Sequence, residues 1–242
     1  MLDSIRIVLI ETSHPGNIGA VARAMKNMAL SDLRLVRPRF FPHEQASARA
    51  SGAADVLAAA RVFDTPRQAI ADCRFVVGAS ARLRSVHWPR FPPRAMAARV
   101  LEESAAGPVA ILFGRENSGL TNVELDLCHY LVHIPTNPDY ASLNIAMAVQ
   151  VIAYELFVAA DEAGRTHERP AEPPAEIAAM EGFYAHLRET LGDIGFSDPR
   201  QSDKLFRRLR RLFHRARLNE DELRILRGVL SAAQGRKHRR FD

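Results

Sequence analysis

Three stretches of this chain gather hydrogen-bonding side chains and glycines at the ends of apolar runs. The first, HPGNIGAVAR from His14 to Arg23, sets two glycines and Asn17 at a helix start, where free backbone N–H groups can meet an anion or a ribose phosphate. It matches neither GxGxxG nor the Walker pattern, and a tight strand-to-helix turn remains an alternative reading. The second, LFGRENSGLTN, holds Arg115, Glu116 and Asn117 between two glycines. Glycine permits close approach or positive φ, so this reads as a shaped loop rather than a charged surface turn. The third runs from Ile134 to Leu156, IPTNPDYASLNIAMAVQVIAYEL, where a turn rich in Asn, Asp and Pro enters a long apolar segment. Ser142 is a plausible N-cap there, and Ile145, Val149, Ile152 and Leu156 recur at helical spacing.

Each stretch needs an element to hold it. Ile5 to Ile10, Phe75 to Ala79 and Val109 to Phe113 are apolar runs of strand length, as buried parallel strands require. Leu33 to Val36, Val62 to Phe63 and Tyr130 to Ile134 read as further strands. Helical patterns fall between them at Asn17 to Met28, Ala53 to Ala60, Pro66 to Ala71, Arg94 to Glu103 and Asn122 to Leu127. The alternation predicts an α/β fold with a mostly parallel sheet. Ligands of such sheets bind at the carboxyl ends of the strands, where all three stretches lie.

Composition narrows the class. With 47% hydrophobic residues and no long uninterrupted apolar run, the chain shows no membrane span. The N-terminus lacks a signal-peptide pattern, which points to the cytoplasm. Cys73 and Cys128 stand far apart with no CxxC or clustered histidine, so neither a disulfide framework nor a metal site is indicated. The net charge of +5 favours a polyanionic partner. Residues 163–176 break the composition with prolines and charges and read as a linker between a domain at 1–162 and a small all-α domain at 177–242. In the latter, Ile177 to Leu191, Asp203 to Arg215 and Glu220 to Ala233 have helical period, and Gly235 to Asp242 reads as a disordered basic tail. Lys204 to Arg217 holds seven basic residues and no acid. Leu205, Leu209, Leu212 and Phe213 are expected to face the core, leaving Lys204, Arg207, Arg208, Arg210, Arg211 and Arg215 to track phosphates. A solvated charged face is the other reading. The segment from Arg82 to Arg90, with Arg84, His87 and Trp88, suits phosphates and unstacked bases, or forms a solvated lid.

Taken in order, the three stretches resemble the motifs of the SPOUT RNA methyltransferases, in the TrmH/TrmJ branch of ribose 2'-O-methyltransferases. The resemblance spans about residues 1 to 160. It implies a SPOUT fold whose C-terminal segment threads a trefoil knot, a homodimer with active sites drawn from both subunits, and S-adenosylmethionine held in the knot. By the same likeness, Ala79, Ser80, Ala81, Gly114, Ile134, Ala141, Ser142 and Leu143 line the cofactor pocket. Many relatives carry a hydroxyl residue at position 79, so Ala79 leaves only a backbone contact there. Arg23, Glu116, Ser142 and Asn144 fall at the family's catalytic positions, and the implied substrate is tRNA, at the pyrimidine of position 32 in the anticodon loop. Another tRNA or ribosomal RNA position, or a non-catalytic RNA-binding protein of the same fold, are the alternatives.

The role of Arg23 follows from energetics. Taking a guanidinium from a pKa near ~13 to ~7, as a general base needs, costs about 8 kcal/mol. An arginine that holds a phosphate and stabilises the developing alkoxide keeps its proton and still lowers the barrier. Positioning is therefore the expected role.

Overall fold

The computed structural model describes residues 2–80, 89–163, 173–196 and 202–235. Ala81, Arg82, Arg84, His87 and Trp88, most of the linker segment and the basic tail lie outside the described residues. The chain divides into two compact units, Met1–Ala171 and Glu172–Asp242.

In the first unit the elements follow as β1 (Ile5–Ile10), α1 (Pro15–Asn27), β2 (Asp32–Val36), α2 (Glu44–Ala50), α3 (Ala54–Ala58), β3 (Arg61–Phe63), α4 (Pro66–Ala69) and β4 (Phe75–Ala79). They continue as β5 (Arg90–Phe91), α5 (Pro93–Ser104), β6 (Val109–Phe113), α6 (Asn122–Leu125), β7 (Tyr130–Val132) and α7 (Ile145–Ala163). The strands form one sheet in the order β3-β2-β1-β6-β4-β7-β5. Every described pairing is parallel. That order decides where chemistry can happen. With β6 between β1 and β4, and β7 beyond β4, the turns that leave these four strands emerge side by side along one edge.

Two elements escape the sequence pattern. Helix α2 falls in a stretch to which the sequence pattern assigned no element, and β5 lies in a proline-rich segment. α1 starts at Pro15, with His14 as N-cap accepting from the Gly16 N–H through Nδ1 at 3.1 Å. α2 then packs so tightly on α1 that a Cβ on Gly19 would fall 2.0 Å from the Ala46 carbonyl oxygen. In α7, Ile145, Val149, Ile152 and Leu156 are buried in the core, as their spacing requires.

The opposite edge of the sheet is braced by charge. Arg34 in β2 is 1% exposed and donates to Asp32 (3.1 Å), to both carboxylate oxygens of Asp72 and to the Ala69 carbonyl. The Arg34 hydrogen bonds outweigh burial and hold the Asp72 carboxyl down to about 2. Removing one partner of such a cluster strands the others. Arg34→Met is therefore expected to cost about 3 kcal/mol, read as a lowered urea midpoint; an unchanged midpoint would mean the cluster contributes nothing to stability.

The second unit contains α8 (Ile177–Asp193), α9 (Ser202–Ala216) and α10 (Glu220–Ala233). Met180, Phe183, Tyr184, Leu187 and Leu223 are buried together, with Leu209 and Phe213 packed against them. Ala175, at the end of the expected linker, is buried in the same core. The phase of α9 differs from the expectation. Phe206 and His214 are buried, while Leu212 is largely exposed. Arg210 turns inward, paired with Glu181 and stacked 4.3 Å over Tyr184. The true core stripe is Phe206, Leu209, Phe213 and His214, which also keeps the helical period.

Candidate active site at the carboxyl ends of the strands

The turn after β6 is shaped by its glycines. Gly119 adopts φ +69 and its N–H donates to the Arg115 carbonyl at 2.8 Å, folding the loop back on itself. A Cβ on Gly114 would lie 2.1 Å from the Gly119 carbonyl carbon, so no other residue fits. Arg115 locks the loop from outside. Its Nε donates to Glu11 at 2.7 Å, beyond the end of β1, and its Nη1 donates to Glu124 at 3.0 Å. Glu124 also closes a capping box with Thr121 at the start of α6. Hydrogen bonding to Glu11 and Glu124 raises the Arg115 pKa further, so the clamp stays charged.

Behind this loop lies a cavity of about 300 Å³. It is lined by Ala79, Ser80, Gly114, Ile134, Ala141, Ser142 and Leu143, with Glu116 and Leu120. Of the cofactor positions expected from sequence, Ala81 alone is outside the described residues. The walls are set by the neighbouring turns: Ser80 N–H donates to the Val132 carbonyl at 3.1 Å, and the His133 ring nitrogen Nδ1 lies 3.0 Å from the Ser80 carbonyl. Small and apolar side chains make up much of the lining, with Glu116, Asn117, Ser118 and Ser142 adding polar groups, as in a pocket that holds a ligand by shape and orients it with a few polar contacts.

Glu116 does not reach out toward a substrate. Its Oε1 accepts from Asn17 Nδ2 at 2.9 Å, and its Oε2 accepts from the Ser13 hydroxyl at 3.1 Å and backbone N–H at 3.2 Å. Burial pushes the carboxyl up, but hydrogen bonds from Asn17, its own backbone and Ser13 outweigh it and leave the pKa below the usual carboxylate range. An ionised, saturated carboxylate is a poor proton acceptor and a good anchor. Asn17 in turn accepts from Asn144 Nδ2 at 3.1 Å. The relay Glu116–Asn17–Asn144 thus ties the turns after β1 and β6 to the start of α7, and the Asn17 amide, expected at RNA, is engaged within the chain.

The cap of α7 differs from the expectation as well. Ser142 precedes the helix, and Asn144 caps it, its Oδ1 accepting from the Ala146 N–H at 2.9 Å. Ser142 is exposed at the cavity rim. Arg23 is exposed on α1 and has no hydrogen bond or ion pair with any described residue. It lines a second, larger cleft of about 710 Å³ between α1, α2 and α7, together with Asn17 and Asn144. Within one chain, then, Glu116, Asn17 and Asn144 are joined, whereas Arg23 and Ser142 occupy neighbouring cavities. Sequence reading missed the Arg115 clamp and the second cleft; the only signal for the clamp was a charged triplet between glycines.

Lys204 and Arg208 are exposed on α9, and Arg207 and Arg211 are half-buried there. Among the described residues no group of His, Cys, Asp and Glu is placed to hold a metal, and no helix is long and apolar enough to cross a membrane.

Comparison with known proteins agrees with this layout. The profile of the SpoU rRNA Methylase family matches residues 4–154, and that of the tRNA methyltransferase TrmJ C-terminal domain matches residues 178–241. The chain is 51% identical over 237 residues to the tRNA (cytidine/uridine-2'-O-)-methyltransferase TrmJ of Pectobacterium atrosepticum, covering 97% of this chain and 98% of that one. It is 49% identical, over the whole of both chains, to the tRNA (cytidine/uridine/adenosine-2'-O-)-methyltransferase TrmJ of Pseudomonas aeruginosa. The crystal structure of TrmJ from Z. mobilis ZM4 superposes with a TM-score of 0.82 at 38% identity, covering 94% of this chain and 97% of that one. A SPOUT-type parallel sheet carrying these four turns, followed by a helical unit that matches its own profile, places the chain in the SpoU methylase family and, within it, in the TrmJ group.

Proposed function

We propose that this protein methylates the ribose 2'-oxygen of a pyrimidine in tRNA, at position 32 of the anticodon loop, with S-adenosylmethionine as donor. The observation that carries the reading is full-length identity of about half to tRNA 2'-O-methyltransferases, on a chain whose strand-end turns line one cavity. The cavity fits the donor: small and apolar residues line it beside the Glu116 carboxylate, and it is bounded by a glycine whose Cβ the neighbouring loop would exclude. Ala79, Ser80, Gly114, Ile134, Ala141 and Leu143 would hold it. When bound, S-adenosylmethionine supplies an electrophilic methyl group. Ser142 at the rim orients the ribose, and the Glu116–Asn17–Asn144 relay keeps the three turns in register. Arg23 holds the adjacent phosphate and stabilises charge growing on the 2'-oxygen, while the hydroxyl proton passes to water.

The reading includes a homodimer. Met147, Val151, Tyr154 and Phe157 form an exposed apolar stripe along α7, with Met147 62% exposed. Such a stripe on a helix this long fits a subunit interface. Arg23, apart from the cofactor cavity of its own chain, would then serve the cavity of the other copy. The trefoil knot belongs to the same reading, with the segment from Tyr130 into α7 as the threaded part. The basic residues Lys204, Arg207, Arg208 and Arg211 would add phosphate contacts, as would Arg82 and Arg84. A role in tRNA modification fits the cytoplasm.

Nucleoside mass spectrometry of tRNA incubated with protein and labelled donor tests this directly. A labelled 2'-O-methylpyrimidine at position 32 is expected. Label on a base, or none, would sink the reading. The Pseudomonas aeruginosa relative's name favours a second, wider reading in which 2'-O-methyladenosine also forms.

A further inference from the structure

The turn after β2 mixes charge and aromatic rings in a way the candidate active site does not use. Residues 37–43, RPRFFPH, hold two arginines, a histidine and two phenylalanines, with no acid among them. β2 runs parallel to β1, so this turn leaves the sheet at the same edge as the active-site turns. It is tied to them at two points. The Arg39 N–H donates to the Thr12 carbonyl at 3.1 Å, one residue before Ser13 meets Glu116. Glu11 accepts from Arg37 as well as from Arg115. The two phenylalanines then part ways. Phe41 packs against the core and anchors the turn, whereas Phe40 remains 49% exposed. The Arg39 guanidinium lies over the Phe40 ring, 5.3 Å from its centroid, and the His43 ring stands beside it at 6.3 Å. His43 is itself held as the N-cap of α2. Arg39 has no carboxylate partner among the described residues, whereas Arg37, Arg61 and Arg115 each hold one. Neither Arg39 nor Phe40 lines the cofactor cavity or the cleft at Arg23, and neither belongs to the α7 stripe that the proposed dimer covers.

We propose that Phe40 and Arg39 form a stacking site for an unpaired base of the substrate RNA, other than the base of the methylated nucleotide. An aromatic face accepts any base, and a guanidinium beside it adds cation–π attraction and a charge for the adjoining phosphate. Because the backbone of Arg39 is bonded to Thr12 and Phe41 is anchored in the core, the ring is held ready and little order has to be imposed when a base arrives. The ties through Thr12 and Glu11 fix this site relative to the turns that carry Glu116, so a base stacked there sets the register of the RNA at the cofactor cavity. The proposal rests on the RNA substrate inferred above.

The test measures tRNA binding and methylation by the full-length protein and four variants, Phe40→Ala, Phe40→Leu, Phe40→Trp and Arg39→Gln. Phe40→Ala should weaken tRNA binding about tenfold and leave the slope of log affinity against log salt unchanged, because no charge is removed. Phe40→Leu should be nearly as weak, since it keeps apolar bulk but no ring face, and Phe40→Trp should bind as the parent does. Arg39→Gln should weaken binding about threefold and lower the salt slope by about one. In Phe40→Ala the loss should fall on KM for tRNA rather than on kcat at saturating tRNA. Unchanged tRNA affinity in Phe40→Ala or Arg39→Gln, or parent-like affinity in Phe40→Leu, overturns the proposal. So does a shift of oligomeric state in the Phe40 variants, seen by sedimentation, which assigns the ring to a contact between copies of the chain. A parent that methylates tRNA while Phe40→Ala binds it equally well leaves the proposed function standing and removes only the stacking site. A parent that binds no tRNA overturns both.

Discussion

Arg23→Lys is expected to lower the single-turnover rate of tRNA methylation by about a hundredfold or more while S-adenosylmethionine affinity stays within about twofold. The size of the effect follows from what the residue is asked to do. An electrostatic donor that meets charge only as it develops is worth about 3 kcal/mol in the transition state and little in the ground state. Lysine keeps the positive charge but not the planar fork that can hold a phosphate and reach the ribose oxygen together. Arg23 does not line the cavity of its own chain, and the groups it is proposed to meet are a phosphate and the ribose oxygen, so donor affinity is expected to hold. Both quantities can be measured on one preparation, by rapid quench for the rate and by calorimetry for the donor. Near-normal turnover in the variant would remove Arg23 from the mechanism. A parallel loss of donor affinity would instead assign it a structural role at the cavity.

Much of this site is legible in the sequence because its parts are local. Ile5–Ile10 and Val109–Phe113 are buried on both faces of a parallel sheet, and such strands read as continuous apolar runs. The turns that follow them stand out by their glycines and polar residues. What connects the turns is not local. Glu116 meets Asn17 across 99 residues, and Arg115 meets Glu11 across 104. No period or spacing encodes such pairs. The cap of α7 went to Asn144 rather than Ser142, and both types are good caps two residues apart. Helix α2 was missed because EQASARA buries only Ala46 and Ala50, and its contact with α1 is backbone against Gly19. In α9 two helical stripes one position apart were both partly apolar, and only packing decides between them: Phe213 meets Phe183 and His214 stacks on Tyr184, while Leu212 turns out.

Gly114→Ala should disable the donor cavity without touching a catalytic side chain. The added methyl would sit 2.1 Å from the Gly119 carbonyl carbon and 2.3 Å from the Leu120 nitrogen. Both are backbone atoms, so no rotamer change relieves the overlap. The loop must open instead. Opening it breaks the hydrogen bond from the Gly119 N–H to the Arg115 carbonyl and displaces Arg115, which is fixed at its other end by Glu11 and Glu124. The strain is expected to cost about 3 kcal/mol, or a melting temperature lower by about 8 °C for a chain of this size. Glu116 follows Arg115 in the same loop, so Ser13 and Asn17 lose their acceptor and the relay to Asn144 loosens. S-adenosylmethionine affinity should fall at least about tenfold, a loss of about 1.4 kcal/mol. tRNA affinity, which the proposed function assigns to Arg23 and the basic residues of α9, should fall far less. Calorimetry with the donor and a salt-controlled tRNA binding curve separate the two effects. If the donor binds the variant as it binds the parent, the cavity behind Gly114 is not its site, and the assignment of Ala79, Ser80, Ile134 and Leu143 falls with it.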